Sequence, residues 1–219
     1  MVSSVYEELR ENIVNGRYAA GAPLVETTLA AEYNVSRTPI REALRRLEQD
    51  GLVERGARGM HVRSRSPEEI LEIYEVRIIL EVAAARAAAQ RRTPLDLARL
   101  EQVHQAMLNV SPDDSERLAS TNRRFHEIVR SMSHNATLID LLDRLHAHLI
   151  RYRETTLTYA DRWQTVLDEH AEMIDAIKAG DADRAAAIAE SHMVGARNVR
   201  LAMYADLDSA EETTTARRS

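Results

Sequence analysis

With 219 residues the chain has room for one large domain or two small ones with a packed core. It contains no cysteine, which excludes disulfides and thiolate metal sites and suits a reducing cytoplasm. A net charge of −6 argues against nucleic acid binding along the whole surface, and neither a signal-peptide pattern nor an apolar run of membrane-spanning length is found, so no membrane partner is expected.

Scarce aromatics and abundant alanine favour helices over sheets. In chain order, Ser3 or Ser4 can cap a first helix that carries Tyr6, Leu9 and Ile13 on one face, and Asn15-Gly16 ends it. Gly21-Ala22-Pro23 is a turn, and a second short helix is predicted around Thr28 to Tyr33. Asn34-Val35 then leads into NVSRTPIREALRRLEQD, the most informative stretch of the chain. Ser36 and Thr38 are candidate N-caps, Pro39 suits a first turn, and Gly51 supplies the stop. Ile40, Ala43, Leu44 and Leu47 form an apolar stripe, while Arg37, Arg41 and Arg45 project from another face. An exposed row of guanidiniums on a short helix suits a DNA major groove, where arginine can bond phosphates or guanine in a fork. A solvated surface helix with ordinary charges is the competing reading.

The residues after Gly51 favour DNA. Leu52–Arg55 and Met60–Arg63 read as two short strands, with Gly56 and Gly59 supplying positive φ at the hairpin tip beside Arg58. Helix-turn-helix plus hairpin makes a winged helix over residues 1–66. Between Ser36 and Ser66 there are eight arginines against four acids, so the basic character is local.

From Ser66-Pro67 onward the pattern is helical, with helices predicted near 67–91, 94–109, 113–133, 136–158, 161–179 and 181–205. Residues 67–206 are read as one all-helical domain, and 207–219 as a polar, disordered tail. The fold class is therefore mainly α, a winged helix-turn-helix followed by a helical bundle. Three predicted helices each turn a histidine inward. Asn122 and His126 are i,i+4 neighbours within an apolar stripe; His170 falls between Val166 and Ile174; His192 falls between Ile188 and Ala196. A single inward histidine is ordinarily a hydrogen-bonded core residue. Several with an amide oxygen nearby suit a divalent transition metal, zinc first, nickel or manganese otherwise. His61, His104 and His134 are read as structural.

The run from Leu9 through Val62, above all VSRTPIREALRRLEQDGLV, resembles the DNA-binding domain of GntR-type bacterial transcription regulators. TNRRFHEIV, LDEHAEMIDAIKAGDADRA and SHM resemble the all-helical effector (FCD) domain of the FadR-type branch. The resemblance implies that Arg37, Thr38, Arg41 and Arg45 lie on a recognition helix and Gly59 in the wing. It also implies a metal held by Asn122, His126, His170 and His192, where relatives frequently carry Asp in place of Asn122. Arg77 sits among Ile73, Tyr74 and Leu80 on an inward-looking face and matches an arginine common in the family, which makes it an anchor for a small carboxylate effector, with an arginine snorkelling to the bundle surface as the competing reading. His148, which continues the Leu141–Leu145 stripe, Arg151 and Trp163 are further pocket candidates read from the residues themselves. Asp168 and Glu169 abut His170 with no evident role. The function expected is a dimeric, effector-responsive regulator, a repressor, that binds an inverted-repeat operator in a bacterial cytoplasm. The alternatives are a DNA-binding dimer that senses nothing, or a helical-bundle metalloenzyme, for which no HExxH or paired ExxH motif is present.

Overall fold

The computed structural model describes residues 5–57, 59–149, 156–159 and 162–216, with side chains to residue 206. Arg58 and Arg151 lie outside the described residues. The chain divides into two compact units, Met1–Ser66 with Asp143–Arg153, and Pro67–Leu142 with Glu154–Ser219.

In the first unit, α1 (Val5–Val14), α2 (Glu26–Glu32) and α3 (Arg37–Gln49) are followed by the antiparallel pair β1 (Val53–Gly56) and β2 (Gly59–Val62). The apolar stripes explain the packing. Leu9 and Ile13 of α1, Leu29 of α2, and Ile40, Leu44 and Leu47 of α3 are all buried in one core, with Leu52, Val53 and Val62 of the hairpin beneath them. Each such side chain contributes about 1.5–3 kcal/mol of burial. Asn34 takes φ 52°, which makes the turn between α2 and α3 tight. Ser36 is the N-cap residue of α3, although its side chain makes no capping bond.

The hairpin departs from expectation at one glycine. Gly59 has φ +108°, as a tip residue should, but Gly56 stays in ordinary backbone space. Its missing Cβ instead leaves room for the His61 ring, which would stand 2.7 Å away.

The named elements of the second unit are all helices: α4 (Pro67–Arg91), α5 (Pro94–Leu108), α6 (Ser115–Ser131), α7 (Ala136–Leu149), α8 (Arg162–Ala179) and α9 (Ala182–Ala216). Only the first half of α7 belongs here. From Asp143 it groups with the first unit, whose core holds Ala147, a placement that helical periodicity alone cannot reveal. Thr93 and Asp96 close a reciprocal capping box at the start of α5, and the Asp114 side chain caps α6. Leu100, Met107, Leu118, Phe125, Met132 and Ile177 are fully buried at the centre. The α9 backbone does not break near residue 206, where the polar tail is expected to begin, but remains helical to Ala216, in keeping with the good helix formers Leu207, Ala210, Glu211 and Glu212. Among the described residues, no helix is long and apolar enough to cross a membrane.

Candidate functional site

Two groups of side chains stand out, one in each unit. On the first unit, Arg37, Thr38, Arg41 and Arg45 are all exposed on α3, opposite its buried stripe. Arg46 turns away and lies over the Tyr6 ring, 3.8 Å from its centroid. Glu26, the first residue of α2, reaches across to α3. Arg41 donates Nε to Glu26 Oε1 at 3.2 Å and Nη2 to Oε2 at 3.0 Å, while Arg37 Nη2 donates to the same Oε2 at 3.0 Å. Hydrogen bonds from Arg41 and Arg37, with their charges, push the Glu26 carboxyl down to about 2.

In the second unit, α6, α8 and α9 bring His126, His170 and His192 together. One nitrogen from each ring lies within 4.8 Å of the others, and all three residues are buried. Their ring centroids are 4.9 to 5.2 Å apart. His126 Nε2 and His192 Nε2 face each other at 3.2 Å. The His170 ring stacks on Phe125 at 3.7 Å, fully buried, and neither of its nitrogens has a hydrogen-bond partner. Asn122, one turn before His126, likewise buries its Oδ1 without a partner.

The physical chemistry of this cluster fits a metal ion. An unsatisfied buried polar group costs about 1–3 kcal/mol, and here both nitrogens of His170 and the Oδ1 of Asn122 are left without a partner. Burial first, then the neighbouring imidazoles, then Arg77 and Arg130, hold His126 well below the usual histidine range. Burial, His192, His104 and Arg162 do the same for His170. Both are thus neutral at pH 7, the form that binds a metal. His192 is oriented from behind: its Nδ1 lies 2.6 Å from Glu169 Oε2. Nδ1 donating to that carboxylate leaves the Nε2 lone pair facing the other two rings, an arrangement common at histidine-metal sites. Burial alone would raise the Glu169 pKa, but the His192 hydrogen bond and the charges of His192 and Arg162 hold it below the usual carboxylate range.

Glu169 thus has a role that its position beside His170 did not disclose, whereas Asp168 only accepts from Gln164. Arg162, also missed in the sequence, lies 3.5 Å from Glu169 Oε2 and donates to the His192 carbonyl at 3.1 Å. It passes over α9 at Gly195, where a Cβ would stand 2.8 Å from its Nη2.

A small pocket, with room for about one water molecule and partly open to solvent, borders the cluster and is lined by Glu81, Ala85, His126, Val129, His192 and Met193, among others. Arg77 is buried, not snorkelling to the surface, and stands behind this wall, donating Nη2 to Glu81 Oε1 at 3.0 Å. Arg130, fully enclosed one turn after His126, approaches the same oxygen at 3.5 Å. Glu81 and Arg130 were not expected at the site; their only sequence signals were the i,i+4 spacings Arg77–Glu81 and His126–Arg130. Two other pocket candidates are not among its lining residues. His148 belongs to the first unit, with Nδ1 3.2 Å from Arg65 Nη2, because α7 changes units at Asp143. Trp163 is buried in the apolar core, where its large ring packs with aliphatic neighbours, and it does not line the pocket. His104, His134 and His61 each bond a protein oxygen, of Leu167, Asp96 and Glu54 respectively.

Comparison with known proteins gives two family matches. Residues 1–62 match the model for bacterial regulatory proteins of the gntR family, and residues 72–195 match the FCD domain. The HTH-type transcriptional regulator YdhC of Bacillus subtilis is 34% identical over 79% of this chain and 79% of its own length. The gluconate operon transcriptional repressor of Bacillus licheniformis is 31% identical over 80% of this chain and 75% of its own. Among solved structures, E. coli McbR/YncC superposes with a TM-score of 0.74 at 23% identity, covering 93% of this chain and all of that one, a likeness of fold.

Proposed function

The chain belongs to the GntR family of bacterial DNA-binding transcriptional regulators and carries an FCD domain, and from that premise we propose that it is a metal-containing repressor released by a small carboxylate. The observation that carries this reading is the convergence of His126, His170 and His192, with both His170 nitrogens and Asn122 Oδ1 buried and unpartnered. These four residues would hold a divalent transition metal, zinc first and nickel or manganese otherwise. When bound, the metal supplies a Lewis-acidic centre for an anionic ligand. As metal ligands, three imidazoles and an amide oxygen bring no negative charge of their own, and behind the pocket wall two buried arginines, Arg77 and Arg130, face the single carboxylate of Glu81. Such a site favours a carboxylate over a neutral sugar or an amine. The name of the gluconate operon repressor points to the same chemical class for that relative.

On the DNA side, Arg37, Thr38, Arg41 and Arg45 of α3 would read the major groove, with Arg58 and Gly59 of the wing following the backbone or minor groove. One winged helix reads only a short half-site, so a homodimer on an inverted repeat in the bacterial cytoplasm completes the reading. Effector binding would favour one dimer geometry over another and so change operator affinity.

The test is His170→Ala. The parent, purified without chelator, should carry about one divalent metal per chain by atomic emission. It should release a duplex selected from a random library when titrated with candidate carboxylates. His170→Ala should lose the metal and the response while still binding the selected duplex. Stoichiometric metal and full response in His170→Ala would sink the site.

A further inference from the structure

An acid placed between two arginines that face DNA is at first sight a fault. Glu26 lies between Arg37 and Arg41 and offsets part of their charge, which weakens attraction to phosphates. The geometry of the contact gives it a use. A guanidinium has two edges that can make a fork: the side edge, Nε with one Nη, and the end edge, Nη1 with Nη2. Glu26 takes the side edge of Arg41, Nε and Nη2, and leaves Nη1 and the remaining Nη2 hydrogen directed onward. The end edge, which stays free, can span guanine O6 and N7. Arg37 is tied to the same Oε2 through a single nitrogen, so its guanidinium also keeps most of its donors.

Without the acid, Arg41 is a long exposed side chain on a short helix and can reach phosphates along either strand. With it, the guanidinium is held in one plane before DNA arrives, so less freedom is lost when the correct base is met. We propose that Glu26 is a specificity-setting positioning residue, which presents the end edge of Arg41 to a guanine in each half-site and suppresses phosphate-only binding. Its effect is on discrimination: it lowers binding to arbitrary DNA and raises the penalty for a wrong base. The depressed Glu26 carboxyl, held down by its two arginines, keeps the acid charged throughout the range in which DNA is bound. This inference rests on α3 being the recognition helix.

The experiment uses the full chain and a random-duplex library. The parent should select a motif with a guanine at one position of each half-site, and Arg41→Ala should lose that preference. Glu26→Gln, which keeps the shape and removes the charge, should bind an arbitrary duplex several-fold more tightly than the parent. Its discrimination against a substitution at the selected guanine should fall about tenfold, part of the loss expected for a bidentate contact. Glu26→Ala should do the same, with an unchanged thermal midpoint showing that the fold is intact. If Arg41→Ala selects the same motif as the parent, the recognition-helix reading itself fails. If Arg41→Ala loses the guanine but both Glu26 variants keep the parent's motif and its ratio of selected to arbitrary binding, the positioning role is overturned and the rest stands.

Discussion

Among the described residues, Glu26 and Glu81 each hold two arginines, and the two clusters differ in surroundings. Glu26 with Arg37 and Arg41 sits on the first unit with side chains 28%, 59% and 65% exposed. Glu81 with Arg77 and Arg130 sits inside the second, at 4%, 9% and 2%. Exposed ion pairs are screened by water and salt and add little to stability, so the first cluster is free to serve orientation and to exchange its partners for DNA. Charges of the second have left water, and removing one partner strands the others in a low dielectric. The same residue types thus make an exposed cluster, to which we assign recognition, and a structural wall beside the pocket. Burial, not composition, decides which.

Breaking the two carboxylates in parallel is the sharpest test of that contrast. Glu81→Gln should destabilise the chain by about 3–5 kcal/mol, the usual result of halving a buried pair. Glu26→Gln should leave the urea midpoint where it was. Equal midpoints for the two variants would show that the buried cluster is solvated after all.

The histidines extend the comparison to pH. In the metal-free protein, His126 and His170 are held well below the usual histidine value, chiefly by burial. Above about pH 6.5 both the folded and the unfolded chain keep these rings neutral, and they add no pH dependence. Below it the unfolded chain takes up protons that the folded one refuses, so stability is lost as pH falls. The slope should approach about 1.4 kcal/mol per pH unit for each ring. Urea unfolding of chelator-treated protein between pH 7.5 and 5 measures it, and His170→Ala should remove one ring's share. No comparable slope should arise from Glu26, whose carboxyl titrates far lower.

A smaller effect is expected at a residue that supports the proposed metal ligands without being one of them. Glu169→Gln keeps the shape but weakens the hold on His192 Nδ1, and metal affinity should fall about 10–100-fold, as for other partners behind a ligating histidine. Competition with a chromophoric chelator reads this directly. An unchanged affinity would mean that His192 is oriented by packing alone.

How far these clusters were legible in the sequence depends on the same contrast. The α3 face could be read outright, since its arginines and its apolar stripe share one helix and 3.6-residue periodicity separates them. Helix ends were legible where local chemistry sets them, as at Pro67 and at Thr93–Asp96, whose capping box is complete within four residues. Inward faces of the three histidines could be read the same way. What periodicity cannot supply is the partner on another element. Glu81 meets Arg130 across 49 positions, and His192 meets Glu169 across 23. Glu26 meets Arg41 across only 15, yet it too depends on how two helices cross. For the same reason α7 read as a single bundle helix, when its second half carries Ala147 into the core of the first unit.

Gly195 carries a consequence for anyone who would make this protein more robust. A glycine inside a long helix costs about 0.5–1 kcal/mol relative to alanine, so helix propensity marks the position as an obvious place to thermostabilise. The space above it is filled by the far end of Arg162, a largely buried side chain bonded to Glu169 and the His192 carbonyl. Alanine would gain helix propensity and displace that guanidinium, so the propensity gain is offset by bonds worth about as much. A substitution chosen for helix propensity alone would therefore disturb the order behind the proposed metal seat for little or no gain in heat resistance.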